Sequence, residues 1–158
     1  MRPRIETLPE KKFIGLRIRM SFSHDRTGEL WGKFMPRRRQ IENGMGSDLY
    51  SMKVYDPGFF DNINPLAEFD KWAVTEVENF DNIPDEMECI TAHGLYAVFL
   101  HIGPQSRGID TFQYIFQTWL PDSGYLLDDR PHFEIIGEKY KHEDPESEEE
   151  FWIPIIFK

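Results

Sequence analysis

The chain has 158 residues, with 18 Lys/Arg against 28 Asp/Glu and a net charge of −10. That length carries one well-filled core, and an aromatic content of 15% excludes a disordered chain. The acidic balance argues against binding along a phosphate backbone and mildly favours cationic small ligands.

A lone cysteine, Cys89, excludes an internal disulfide; it is read as a buried structural thiol in a reducing compartment. The N-terminus lacks a signal peptide's apolar run, and nothing approaches the ~18 apolar residues of a membrane span. A soluble cytoplasmic protein without a membrane partner is therefore expected. Residues 1–43 hold 11 Lys/Arg and 5 Asp/Glu, the remainder 7 and 23, and the simplest consequence is pairing within the fold. Arg37-Arg38-Arg39 reads as a solvated helix end; no helix-turn-helix pattern accompanies it, so no direct nucleic-acid binding is expected.

In chain order, Ile5 to Leu8 is predicted as a short strand stopped by Pro9. Lys12 to Phe22 alternates, with Ile14, Leu16, Ile18 and Met20 on one face, and reads as a half-buried strand. A helix follows, capped by Asp25 or Thr27, with Leu30, Trp31, Phe34 and Met35 as its apolar positions. Pro36 would kink it if it ran on to Ile41, and Asn43-Gly44 and Gly46 end it. Strands are predicted over Leu49 to Tyr55 and Lys71 to Glu78.

The second half repeats the order. Glu88 to Ala92 and Leu95 to Ile102 read as strands about a turn at His93-Gly94. Phe112, Ile115, Phe116, Trp119 and Leu120 fall at i, i+3, i+4, i+7 and i+8, an amphipathic helix ended by Pro121 and Gly124. His132 to Ile136 is a strand closed by Gly137, and Phe151 to Phe157 is the last. Pro154 implies an edge or a bulge there. The acidic stretch Glu143 to Glu150 reads as a solvated connector. Trp31, Phe34 and Met35 fall on Phe112, Ile115 and Phe116, and Trp72 on Trp152, at offsets of about 80 residues. The expectation is one α+β domain over 1–158, duplicated as strand-strand-helix-strand-strand halves at about 1–80 and 86–158. Each half would carry an antiparallel sheet and a helix, with a ligand cleft at the pseudo-twofold.

Three stretches carry a family resemblance: Tyr114 to Tyr125 with Trp119-Leu120-Pro121 and Ser123-Gly124-Tyr125; Arg130-Pro131-His132-Phe133-Glu134-Ile135-Ile136-Gly137; and Trp152-Ile153-Pro154-Ile155. They resemble the GyrI-like small-molecule-binding family, whose fold also serves as the effector-binding domain of AraC- and MerR-type regulators. The resemblance implies the duplicated architecture and a cleft in which a glutamate, Glu134 here, faces aromatic rings and receives cationic or amphipathic aromatic ligands. Ile136 stands where relatives often carry Tyr. The first strand begins almost at Met1, so a stand-alone member with no preceding DNA-binding domain is expected.

An acid in an apolar strand either points to water or needs a donor or cation beside it, and the resemblance favours the second for Glu134. Tyr114 and Trp119, with polar handles, are read as cleft residues; Trp72 and Trp152, at matching strand positions, and the weaker candidate Trp31 join them. Phe112, Ile115 and Phe116 are read as core. His24, His93, His101, His132 and His142 are scattered, so no metal is expected, and no nucleotide or cofactor motif appears.

The leading expectation is a protein that binds or senses hydrophobic, cationic or aromatic drug-like molecules, and is not an enzyme. The alternative from the resemblance is a hydrolase of reactive electrophiles with Glu134 as general base. A third reading is an interaction module with a protein partner such as a gyrase or a regulator.

Overall fold

The alternating segments fold as one antiparallel sheet of seven strands carrying two helices. The computed structural model describes residues 2–137, 139, 141 and 143–158. In chain order they form β1 (Arg4–Ser21), α1 (Thr27–Arg37), β2 (Leu49–Tyr55), β3 (Glu68–Val77), β4 (Glu88–Ile102) and α2 from Gly108 to Asp122. After these come β5 (Tyr125–Leu127), β6 (His132–Ile136) and β7 (Glu148–Phe157). Neighbours run β4-β1-β3-β2-β6-β7-β5, and β4 also pairs with β7, which closes six strands into a ring. The two predicted sheets are thus one continuous sheet.

Closure follows from unusually long strands, and their length comes from irregularities that the sequence reading took for ends. At Pro9 the β1–β4 register shifts, with Leu8 opposite Gly94 and Lys11 opposite Ala92. The bulge absorbs the missing amide of Pro9 without ending the strand. Opposite it, His93-Gly94 is no turn; Gly94 has φ +101°, a conformation that glycine alone adopts readily. The Arg130 guanidinium sits against Gly94 and donates to the carbonyls of His93 at 2.5 Å, Leu95 at 2.7 Å and Ile155 at 3.0 Å. Arg130 therefore ties β4 to β7, and it lies 4.9 Å over the Tyr96 ring.

Pro154 lies in an inner strand rather than at an edge. Its carbonyl accepts from the Asp128 amide at 3.0 Å, so its nitrogen faces the same side, in the gap where β6 pairing stops and β5 pairing begins. The short strand β5 has no counterpart in the predicted elements. The acidic connector is shorter than predicted, because Glu148, Glu149 and Glu150 belong to β7 and Glu149 is buried.

The inner face of the ring is sealed by Phe13, Tyr50, Met52, Trp72, Phe133 and Trp152 with their aliphatic neighbours. Phe133 stacks on Trp152 at 5.2 Å and Phe13 meets Tyr50 edge-on at 4.8 Å. The outer face takes the helices. Leu30 and Phe34 of α1 pack on Ile14, Ala73 and Val77 of β1 and β3. Ile115 of α2 packs on Ala97, Phe99, Phe151 and Ile153 of β4 and β7. Asp25 Oδ1 accepts the Thr27 amide at 2.9 Å where α1 begins, and Pro36 falls in its last turn, ahead of a 3₁₀ turn at Arg38–Gln40. Cys89 is exposed rather than buried, because it lies on a part of β4 that neither helix covers. The basic first region does pair with the acidic remainder, as in Arg4–Glu150, Arg17–Glu88 and Arg19–Asp56.

Gly15 marks where β1 and β3 approach most closely: a Cβ there would stand 1.9 Å from the Ala73 carbonyl oxygen. Gly15→Ala is expected to destabilise the fold by at least ~2 kcal/mol through forced strand displacement, read as a lower urea midpoint with an unchanged slope.

Candidate functional site

With α1 on β1 and β3, and α2 on β4 and β7, the outer faces of β2 and β6 run between the two helices. Strand alternation fixes which side chains meet there. Ser51 pairs with Glu134 and Lys53 with His132 across β2–β6; Lys53 pairs with Lys71 and Tyr55 with Phe69 across β2–β3. Glu134 pairs with Phe151 of β7, and Glu149, two residues before Phe151, lies on the same face.

Glu134 Oε1 accepts a hydrogen bond from Lys53 Nζ at 2.6 Å, their side chains retaining 18% and 17% of their surface. Burial opposes the charge of Glu134, but the ammonium groups of Lys53 and Lys71 outweigh it and leave the carboxyl below its ordinary range. Burial opposes the charge of Lys53, but Glu134, with Tyr55 and Glu149, outweighs it and holds the ammonium above its ordinary range. Lys71 is 7% exposed and makes no hydrogen bond or ion pair with a described residue. Burial and the neighbouring Lys53 charge push its ammonium down to about 8. Burial and the Glu134 anion, with which it shares a hydrogen bond, push the Glu149 carboxyl up to about 8. Burial and the Lys53 charge hold His132 neutral, down to about 3. At neutral pH the cluster thus combines an ionised Glu134–Lys53 pair, an uncharged Glu149 and a largely charged Lys71. Asp25, at the start of α1, adds a negative charge within electrostatic reach of Lys71.

Beside this cluster, along the same strand faces, lies an aromatic group. Tyr55 packs on Phe59, Phe60 and Phe69 with ring centroids 4.6, 4.7 and 4.9 Å away. Phe60 stacks on Phe116 of α2 at 4.7 Å and on His132 at 5.5 Å, and Phe112 meets Phe22 at 5.9 Å. A cleft of about 560 Å³ is lined by Tyr55, Phe59, Phe60, Phe116 and His132 together with Leu127 and the Asp128–Arg130 segment. Its inner wall is thus formed by Tyr55 and His132, one same-face position along from Lys53 and Glu134.

The predicted site residues distribute differently. Trp152 stands opposite Phe133, one position out of phase with Glu134, and Trp72 likewise points inward. Both are separated from Glu134 by the sheet. Trp31 packs on Phe34 at 5.8 Å. Trp119 packs on Phe99 at 5.1 Å, and Tyr114 approaches the same ring at 6.5 Å. The cause is a π-helical turn at Ile115–Trp119: residues five apart, which diverge by about 140° in an α-helix, share a face in a π-helix. Ile115 is core as predicted; Phe116 packs against the same cluster and also lines the cleft, and Phe112 packs on Phe22 and Phe116. The sequence reading missed Lys53, Lys71 and Glu149, although the alternation Ser51-Lys53-Tyr55 was a usable signal for the first. His142 lies outside the described residues; among the described ones no cluster is arranged to hold a metal ion.

An antiparallel sheet carrying two helices is an arrangement that known proteins share. Residues 1–156 match the GyrI-like small molecule binding domain. The chain belongs to the GyrI-like family. It is 26% identical over 158 residues to the transcriptional regulator BrlR of Pseudomonas aeruginosa, covering 98% of this chain and 56% of that protein. The chain therefore spans little more than half the length of this curated relative. The GyrI-like fold recurs in the structure of SAV2435 bound to tetraphenylphosphonium, with TM-score 0.73 at 12% identity over 99% of this chain and 94% of that one. It recurs also in a hydrolase from Listeria innocua encoded by lin2189, with TM-score 0.60 at 16% identity over 98% and 92%. Among the described residues no helix of this GyrI-like chain is long and apolar enough to cross a membrane.

The raised Glu149 carboxyl makes stability depend on pH. Between its ordinary value of 4.5 and about 8 the folded state holds the extra proton. Up to 6.5 the lowered His132 offsets this, because there the unfolded chain binds a proton that the folded one does not. Stability therefore falls as pH rises from 6.5 to about 8, by at most ~1.4 kcal/mol per unit. Above about 8, up to 10.5, the lowered Lys71 reverses the sign, because there the unfolded chain holds more protons. Glu149→Gln is expected to remove the fall and keep the rise, as read from urea midpoints across that range.

Proposed function

We propose that this chain binds small aromatic molecules in the cleft beside α2, with the ligand's cationic or hydrogen-bond-donating end taking the Glu134 carboxylate over from Lys53. The observation that carries this reading is the 2.6 Å Glu134–Lys53 pair beyond the inner wall of a 560 Å³ cleft lined by aromatic rings. That volume suits a drug-sized ligand. Ring faces attract a desolvated cation by about 0.5–2 kcal/mol each, and a carboxylate in a reduced dielectric attracts it further. Because Lys53 already occupies Glu134, binding is an exchange, and it favours ligands that also offer Lys53 an acceptor. The tetraphenylphosphonium-bound SAV2435 supports a lipophilic cation as one such ligand, and the likeness to BrlR supports a role in sensing.

The same reading includes a duplicated domain with its site at the pseudo-twofold. The strand order β1-β3-β2 in the first half parallels β4-β7-β6 in the second. In that correspondence Lys53 and Glu134 occupy equivalent positions 81 residues apart, so the ion pair spans the axis.

A second reading, hydrolysis of a reactive electrophile, is favoured by one observation. Glu149 and Glu134 are adjacent carboxyl groups pushed apart in acidity, the arrangement that assigns a general acid and a general base. The hydrolase among structures of this fold is consistent with it.

Glu134→Gln is expected to weaken a lipophilic cationic dye such as rhodamine 6G at least ~10-fold by calorimetry, since a charged partner is lost. A neutral aromatic of similar size should change by less than ~3-fold. Undiminished affinity for the cation sinks the charge-recognition reading. Incubation with a strained electrophile then separates binding from catalysis: many turnovers of hydrated product, abolished by Glu134→Gln, support the second reading, and purely stoichiometric uptake removes it.

A further inference from the structure

We infer that Lys71 is a nucleophilic amine that captures aromatic aldehydes as an imine on the strand face just behind the inner wall of the cleft. The inference rests on the reading of this cleft as a ligand site and names a reactive class of ligand for it.

A buried ammonium normally finds an acceptor, because leaving it without one is costly. Lys71 is 7% exposed yet has no hydrogen-bond or ion-pair partner among the described residues. It is also directly opposite Lys53 in the β2–β3 ladder, with Cβ atoms about 5 Å apart in such a pair. Lys53 cannot relieve the repulsion by turning away, since Glu134 holds it. A desolvated lysine beside a second cation is how proteins make an amine reactive near neutral pH. Lys53 itself is unsuited, because its carboxylate partner keeps it protonated.

The other groups facing Lys71 are Glu134 from β6, Glu149 from β7 and Asp25 from the start of α1. Next along its own strand face is Phe69, paired with Tyr55 at the inner wall of the cleft. With the ammonium pushed down to about 8, about one Lys71 in ten carries a free amine at pH 7. For an ordinary lysine the fraction is about one in three thousand.

The chemistry closes with the groups present. The neutral amine nitrogen bonds to the carbonyl carbon, and the C=O π pair moves to oxygen, which takes a proton from the uncharged Glu149 carboxyl. The nitrogen of the addition product gives one proton to a carboxylate, leaving a carbinolamine. Its hydroxyl then leaves with a returned proton as water while the nitrogen lone pair forms C=N, giving an iminium whose N–H proton passes back to the Glu149 carboxylate to leave the imine. One carbonyl and one amine become one imine and one water, with no oxidant or reductant. The iminium form sits beside Glu134, whose charge stabilises it.

The test uses the full chain with 6-methoxy-2-naphthaldehyde and sodium cyanoborohydride near pH 7, followed by intact mass and peptide mapping. One dominant adduct is expected, on the peptide containing Lys71, forming at least ~10-fold faster than on any other lysine. The rate should rise with pH to a maximum near 8, as Lys71 loses its proton, and fall again as Glu149 ionises. Lys71→Arg, which keeps the cation but cannot form an imine, should lose that adduct with an unchanged melting curve. Adducts spread over the exposed lysines, or the same adduct rate in Lys71→Arg, overturn the inference. Calorimetry with 6-methoxy-2-naphthalenemethanol, which has no carbonyl, separates the two readings. Binding of the alcohol without a Lys71 adduct overturns the nucleophile and leaves the pocket standing; neither binding nor adduct removes both.

Discussion

The pairing of β4 with β7 closes the sheet, and most of the rest depends on it. Once six strands form a ring, every alternate side chain is committed to a sealed interior, and only the outer face remains for helices and ligands. The interior takes Phe13, Tyr50, Trp72, Phe133 and Trp152 and is filled by them. Two short helices cannot cover six strands, so β2 and β6 are left between them. The polar cluster lies on that strip.

On that strip the electrostatics are set by mutual proximity rather than by any single residue. Glu134 stays ionised because Lys53 and Lys71 offset its desolvation. Glu149 stays protonated because it is buried beside an ionised Glu134. Lys71 is left as the member without a direct partner. The cluster is near charge balance, so a ligand entering it replaces an existing partner instead of filling an unpaired charge. This makes selectivity a matter of exchange energies, and it distinguishes the cleft from one whose carboxylate stands alone among rings.

Several features of this arrangement were legible from residues in order. The strand Leu49 to Tyr55 and the strand around Glu134 were fixed by β-branched and aromatic runs, and the bend at Asp56-Pro57-Gly58 follows the first directly. Pro9 and His93-Gly94 misled in the opposite direction. Both are local breakers, yet each falls opposite the other in one ladder, where a bulge and a left-handed glycine cancel. The helix assignment was sound in extent, but its faces were misread because a π turn re-phases the stripe after Tyr114, and no periodicity count at 3.6 residues per turn can show that.

By itself the sequence determined the α+β class, the two helices, the family and the unusual acid Glu134, since each rests on local propensity or on a contiguous motif. Which residues surround that acid was decided only by tertiary structure. Lys53 and Lys71 come from the consecutive strands β2 and β3 and Glu149 from the last strand, β7, and they meet through ladder register, which the chain order does not encode. Register also sends Trp72 and Trp152 inward, because a shift of one residue in a strand moves a side chain to the opposite face.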